Sequence, residues 1–333
     1  MGMKITGLIW FQDWYLDGPF KRSKMNVNYL KYIIGVLIVM SGVILSFSCT
    51  SSSRIINESY QRLEKYNIKT LNTEYGIMSF VDEGSGEAII ISHGIFGGYD
   101  QGYDNLYDIF GNNYRKIAVS RFGYPGSNLP FEPTPTNQAK VFLELFDELQ
   151  IEKAFLLAVS AGSAPGIRFA LDYPERLKGL ILLSSGVPSA PKTRKEIGRT
   201  GPPNFILNDN IMVFSVRNFK GIMYSMFGSK NVGSNILDNL LPVKPRRNGI
   251  INDGEITNVD MLVNYYDYPV ENINIPILVV HAKDDPMAKF EDIELFLKRV
   301  NAETMTFPDG GHLIIGHDIS IGIIDFIEKY KNE

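Results

Sequence analysis

The sequence predicts an α/β fold with a mostly parallel central sheet flanked by helices. Three observations carry this reading. Short apolar, β-branched runs alternate with segments that are apolar at helical spacing along most of the 333 residues. One run, Phe155-Leu156-Leu157-Ala158-Val159, stops abruptly at Ser160 among small residues, with a helix-like segment behind it. From Gly186 to about Asn274 no strand pattern appears. A structureless loop longer than about 12–15 residues is uncommon in a compact domain, so this segment reads as an insertion.

In chain order, Ile68–Tyr75 and Ile77–Asp82 read as two strands joined at Gly76. Ala88–Ser92 is apolar and β-branched throughout, the pattern of a buried strand, and Lys116–Ser120 is another. Gln138–Leu149 places Val141, Leu143, Leu145, Phe146 and Leu149 at helical spacing. Ala154–Val159 is a strand and Ala161–Asp172 a helix. Strands at Leu177–Leu183, Ile275–His281 and Thr304–Phe307 follow, with helices over Phe290–Val300 and Ile319–Tyr330. Such alternation implies parallel strands with helices on both faces. The insertion holds several prolines but also Met212, Phe214, Phe219, Met223, Met226 and Phe227. That apolar content argues against a disordered linker and for a mainly helical cap.

The N-terminal region has a different character. Lys21, Arg22, Lys24 and Lys31 precede an uncharged apolar run from Tyr32 to Ser48, and Cys49 opens a Ser/Thr tract. A basic stretch, an apolar core and small residues form the layout of an export signal or membrane anchor. The basic side stays in the cytoplasm, which puts everything after Cys49 on the outer side of the cytoplasmic membrane. Cys49 also resembles the acylated cysteine of bacterial lipoproteins and is a candidate lipid-attachment residue. Ser46 and Phe47 depart from that pattern, so an uncleaved anchor helix is the alternative. Met25 is a candidate start within the lead-in. The boundaries expected are 1–53 for the lead-in and anchor, 54–185 and 275–333 for the two parts of the core, and 186–274 for the cap.

Composition removes several function classes. A net charge of −4 offers no footprint for nucleic acid. A single cysteine rules out a disulfide framework and a cysteine-based zinc site, and no metal or other cofactor is expected. Only four histidines are present, so the place of each one is informative.

Ser160 is the candidate nucleophile. A serine hydroxyl needs a base, an acid that orients the base, and donors for the oxyanion. In open α/β sheets these gather beyond the carboxyl ends of strands. His312 follows the last strand in Pro308-Asp309-Gly310-Gly311-His312 and is the candidate base. Asp285, after the preceding strand in Lys283-Asp284-Asp285-Pro286, is the candidate acid, with Asp284 as its neighbouring alternative. The oxyanion donors are assigned to the backbone amides of Ile95, in the glycine loop His93-Gly94-Ile95-Phe96-Gly97-Gly98, and of Ala161. The simpler readings are a helix-capping serine, a loop histidine and a turn-forming aspartate. His281 reads as a core residue, His93 as a brace for the oxyanion loop, and His317 as structural. Asp100 and Gln101 are candidates to face the pocket. Lys244, Arg246 and Arg247 read as a solvated basic face.

The order Ser, Asp, His is that of the α/β-hydrolase triad. From about Ile68 to Tyr330 the chain resembles the α/β-hydrolase superfamily. The phrases that carry the resemblance are Ser92-His93-Gly94, Arg121-Phe122-Gly123-Tyr124-Pro125-Gly126-Ser127, the Ser160 turn running on to Tyr173-Pro174-Glu175-Arg176, Leu180-Ile181-Leu182-Leu183-Ser184, and Gly311-His312-Leu313. The His93–Gly102 and Gly311–His317 phrases also resemble a little-characterised subgroup with a cap domain. The usual turn is G-x-S-x-G, and Ala158 replaces its first glycine here. A serine at the nucleophile position argues against haloalkane dehalogenases and epoxide hydrolases, which carry aspartate there.

The resemblance implies a serine hydrolase acting on a small-molecule acyl substrate, with a carboxylic ester as first expectation. Aminopeptidase, thioesterase, C–C bond hydrolase and acyltransferase chemistry use the same residues. A non-catalytic surface binding protein that kept the fold is the rival from another class.

Overall fold

The computed structural model describes residues 51–198, 200–228 and 239–333. The basic lead-in, the apolar run and Cys49 lie outside the described residues. Residues 51–63 are helical (α1). An eight-stranded sheet follows, with strands β1 (Ile68–Thr73), β2 (Gly76–Glu83), β3 (Ala88–Ser92), β4 (Arg115–Val119), β5 (Ala154–Val159), β6 (Leu177–Leu183), β7 (Ile277–Ala282) and β8 (Glu303–Phe307) in the order β1-β2-β4-β3-β5-β6-β7-β8. β1 pairs with β2, and β2 with β4, antiparallel. All later pairings are parallel. The sheet is therefore the mostly parallel one that the sequence predicts.

Alternating side chains bury both faces, as the period of a strand requires. Ile89 and Ile91 of β3, with Phe155 and Leu157 of β5, pack on the side of α2 (Tyr99–Phe110). Ile90, Leu156 and Ala158 face α3 (Pro135–Glu148) and α4 (Ser163–Asp172). Thr134 caps α3, its hydroxyl accepting from the Asn137 amide at 3.2 Å, and Pro135 occupies the first helical position, where no amide is needed. Helix α2 is absent from the sequence expectation. Its stretch mixes tyrosines, aspartates and Gly102, which blurs the period. Gly102 lets it lie close: a Cβ there would stand 2.9 Å from Ile91 Cγ2 and 3.2 Å from Ala118 Cβ.

Residues 186–274 stand between β6 and β7 and, among the described residues, form helices and turns without a strand: α5 (Arg194–Ile197), α6 (Asp209–Asn218), α7 (Lys220–Met226), α8 (Arg247–Asn252), a π-helical turn at Asp253–Thr257, and α9 (Asn258–Val263). Met212, Val213 and Val216 of α6 build a separate apolar cluster with Leu240, Leu241 and Val243. Ile55 and Ile56 of α1, and Ile95 and Phe96 of the loop after β3, pack against it. Helix α10 (Phe290–Leu297) stops three residues before the sequence reading expects, and α11 (Ser320–Tyr330) closes the chain.

Candidate active site

Ser160 sits at the end of β5, at the carboxyl edge of the parallel strands. Its φ is +49°, a left-handed conformation in which a non-glycine residue is strained. The turn is held from both sides. Ser163 Oγ donates to the Ser160 carbonyl at 2.7 Å, and Ser92 Oγ donates to the Gly162 carbonyl at 2.9 Å. Gly162 is obligatory, since a Cβ would meet the Ser92 carbonyl oxygen at 2.0 Å.

The missing first glycine has a local compensation. Ala158 is fully buried and faces α4, where Gly166 lies opposite. A Cβ on Gly166 would come within 2.8 Å of the Ala158 Cβ. Strand and helix thus approach closely with one methyl between them, contributed by the strand. The sequence reading sees the departure at Ala158 but not its partner, because Gly166 on a helix becomes informative only when the facing strand is known.

His312 lies in a short turn after β8, framed by Gly310 and Gly311, both with positive φ. Its Nε2 is 2.9 Å from Ser160 Oγ, and its Nδ1 is 2.8 Å from Asp285 Oδ2. An ionised Asp285 accepts at Nδ1–H, which assigns the tautomer and leaves Nε2 to accept from the serine hydroxyl. Asp285 follows β7, and its Oδ1 accepts from the Met287 and Ala288 amides at 2.8 and 3.0 Å. Burial alone would raise this carboxyl. The His312 hydrogen bond and charge, with the two amides, outweigh burial and hold it below the ordinary carboxylate range. Asp284 accepts from the Gly311 amide at 2.8 Å, so it braces the histidine turn instead. His281 is buried, donates from Nε2 to the Ala288 carbonyl at 2.7 Å, and lies 3.5 Å from Asp285 Oδ2. Burial pushes its pKa down, so it stays neutral.

The loop after β3 lies against the serine. A Cβ on Gly94 would stand 3.2 Å from Ser160 Cβ and 3.8 Å from its Oγ. Ala161 is the second residue of the helical turn that begins at Ser160, and amides at a helix start have no acceptor within the helix. The Ile95 and Ala161 amides therefore stand on the two segments that flank the hydroxyl. His93 is buried. Its Nε2 accepts from the Arg121 amide at 3.1 Å and its Nδ1 donates to the Gly94 carbonyl at 2.7 Å. Burial, with the nearby Arg121 charge, pushes its pKa well down. It is a neutral brace with both ring nitrogens engaged.

Two buried arginines fix this loop, and the sequence reading misses both roles. Arg121 donates from Nε to the His93 carbonyl at 2.8 Å and forms a bidentate pair with Asp253, at 2.7 and 2.6 Å. Tyr124 O–H donates to the same carboxylate at 2.6 Å. Arg246 donates from Nε to the Phe96 carbonyl at 2.7 Å, from Nη1 to the Pro242 carbonyl at 2.8 Å, and pairs with Asp100. Each pair joins residues 186–274 to the core. The expectation of a solvated basic face thus fails at Arg246, which has no exposed surface, while Lys244 and Arg247 are exposed. Asp100 turns to Arg246 and not to a pocket, and Gln101 Nε2 donates to the Asn239 carbonyl at 2.5 Å. His317 stacks on Phe307 and bonds Asp309 at 2.8 Å, away from the serine. One further contact ties the insertion to the candidate base: the His312 amide donates to the Phe227 carbonyl at 2.8 Å, just beyond α7.

A family model for the alpha/beta hydrolase fold matches residues 87–230, which include β3, the Ser160 turn and β6. Among curated relatives, an uncharacterised hydrolase of Bacillus subtilis is 32% identical over 127 residues, 36% of this chain and 42% of the relative. A 2-hydroxy-6-oxo-6-phenylhexa-2,4-dienoate hydrolase of Comamonas testosteroni is 33% identical over 115 residues, 33% of this chain and 40% of that one. The chain thus spans about two fifths of the length of these relatives. Among solved structures, the carboxylesterase CesB of Bacillus subtilis superposes with a TM-score of 0.61 at 16% identity, covering 84% of this chain and 98% of that one. With the sheet order, the left-handed serine turn and the matched segment in agreement, the chain has the α/β-hydrolase fold.

Proposed function

We propose that the protein is a serine hydrolase that cleaves a carboxylic ester through an acyl-enzyme, held at the outer face of the cytoplasmic membrane by its N-terminal segment. The observation that carries the chemistry is the unbroken hydrogen-bond chain from Ser160 Oγ through His312 to Asp285. In this reading Ser160 Oγ attacks the acyl carbon while His312 Nε2 takes the hydroxyl proton. The carbonyl oxygen becomes an oxyanion and accepts from the Ile95 and Ala161 amides. The C–O bond breaks as His312 returns the proton to the leaving alkoxide. Water then attacks the acyl-serine by the same route, and the acid departs. Asp285 holds the imidazolium formed in each half. Residues 186–274 act as a cap, and the substrate is selected there.

A second reading, a C–C bond hydrolase, is favoured by the name of the Comamonas relative. Both readings use the same residues and differ in the bond broken. The test is turnover of a series of p-nitrophenyl esters beside a ring-cleavage dienoate, with Ser160→Ala as control. The expected result is ester hydrolysis that falls by a factor on the order of 10⁴–10⁶ in the variant. Turnover of the dienoate alone would select the second reading. Ester turnover unchanged in Ser160→Ala would overturn both.

A further inference from the structure

The insertion carries an apolar surface that the site does not use. On α6 and α7, and at Phe219 between them, the side chains of Ile211, Phe214, Phe219, Ile222 and Met226 are all exposed, Phe214 by 57% and Ile222 by 62%. Phe214 and Phe219 pack edge to face with ring centres 5.8 Å apart, so the two helices present one continuous patch. Opposite faces of the same helices are buried in the cluster around Met212, Val213 and Val216. An apolar stripe of this kind on the solvent side of a helix pair is a marker of interaction.

Cations outnumber acids in the sequence that bears it. Between residues 204 and 228 the only acidic residue is Asp209, and the cations are Arg217 and Lys220. Asp209 is taken up internally, accepting from Tyr60 O–H at 3.0 Å and from the Val243 and Lys244 amides at 2.6 and 3.0 Å. Arg217 and Lys220 are exposed. Large apolar residues beside the exposed Lys220 suit an anionic bilayer surface.

Chain length limits how far from a membrane this patch can be. The apolar run ends at Ser48, and the described part of α1 opens three residues later at Ser51, a separation of at most about 10 Å. Ile55 and Ile56, only about 6 Å further along that helix, already pack into the cluster beneath α6. Tyr60 bonds α6 through Asp209, and Arg62 Nη2 donates to the Leu241 carbonyl at 2.7 Å. Helix α1 is thus a short strut, fixed along its length to the insertion and not to a free linker.

We propose that the exposed face of α6 and α7 seats on an anionic phospholipid bilayer, with Phe214, Phe219, Ile222 and Met226 entering the headgroup boundary. This rests on the membrane tether proposed above. It makes the insertion an interfacial element. The helix at the bilayer ends one residue before Phe227, whose carbonyl receives the His312 amide.

The test uses the full chain in vesicles of phosphatidylcholine and phosphatidylglycerol. The native tryptophans, Trp10 and Trp14, are replaced by phenylalanine, and one tryptophan is returned as Phe214→Trp, Ile222→Trp or, on the core helix α11, Ile321→Trp, at a position 65% exposed. Flotation reads the tether, and quenching by acyl-brominated lipid reads the seating. The result expected is flotation of all three proteins, with at least about half the emission of the Phe214→Trp and Ile222→Trp proteins quenched and that of the Ile321→Trp protein unaffected. Flotation with no more quenching on α6 and α7 than on α11 overturns the seating and leaves the tether standing. Blue-shifted emission that brominated lipid leaves untouched assigns the face to a second copy or to another part of the chain, and also overturns it. Chains that do not float overturn the tether and the seating together. Because neither readout depends on turnover, failure here is distinct from failure of the acyl-transfer reading.

Discussion

Ser160, His312 and Asp285 come from three turns beyond three parallel strands, and each is held by backbone contacts of its own. Their types and chain order were legible because the chemistry demands those groups in turns after strands. Arg121, Asp253, Arg246 and Asp100 were not legible. A buried arginine and an exposed one have the same letter, and a pairing across some 130 or more residues leaves no local spacing to detect. These four side chains are where the loop bearing Ile95 is fixed, through the carbonyls of His93 and Phe96. Removing one partner of a buried pair leaves an uncompensated charge and costs about 3–5 kcal/mol. Arg246→Met should therefore lower stability by that order in urea unfolding. It should also reduce kcat more than it raises KM, because the loop it fixes bears Ile95, whose amide is the proposed oxyanion donor. A drop in stability with kcat unchanged for the folded fraction would make Arg246 a structural residue only.

At the scale of elements, the meeting of β5 with α4 explains why an alanine is accepted where the family pattern has glycine. The usual pattern leaves room at the strand, whereas here Gly166 leaves it at the helix. Gly166→Ala should destabilise by about 1–3 kcal/mol through overpacking against the Ala158 methyl, despite the better helix propensity of alanine. Adding Ala158→Gly should recover most of that loss, a coupling that a double-mutant cycle measures. Additive effects would mean that the two methyls do not meet. Strands were read to within a residue or two, most securely the inner ones, where burial on both faces leaves continuous apolar sequence. Helix α2 was not, because glycine and acidic residues interrupt its period and only the sheet beneath reveals its buried stripe.

Over the whole molecule, burial of neutral histidines links stability to pH. His93 and His281 are both pushed down by burial, so in the folded protein they remain neutral where an unfolded histidine, near pH 6.5, takes up a proton. The unfolded state then binds more protons, so stability rises with pH up to about 6.5 and is lost below it. Each such histidine contributes a slope of about 1.4 kcal/mol per pH unit in that acid range. Asp285 acts in the same sense at lower pH: held below the carboxylate range, it loses its contribution as pH falls through its depressed folded value. Urea unfolding at pH 7, 6 and 5 should show stability falling across this window. A flat profile would contradict the neutral buried state of the two rings. At this scale the sequence revealed the sheet and the place of the insertion. It did not reveal that two ion pairs and an amide at His312 join that insertion to the loops around Ser160.

The central claim is that Ser160 is an activated nucleophile, and its most direct test is covalent. The folded protein is treated with a fluorophosphonate, and the adduct is located by peptide mass spectrometry. The expected outcome is a single adduct on Ser160, formed with a rate that falls sharply in His312→Ala, whose serine has no base at 2.9 Å. Folded protein that carries no adduct on Ser160, or that labels equally well without His312, would contradict the account.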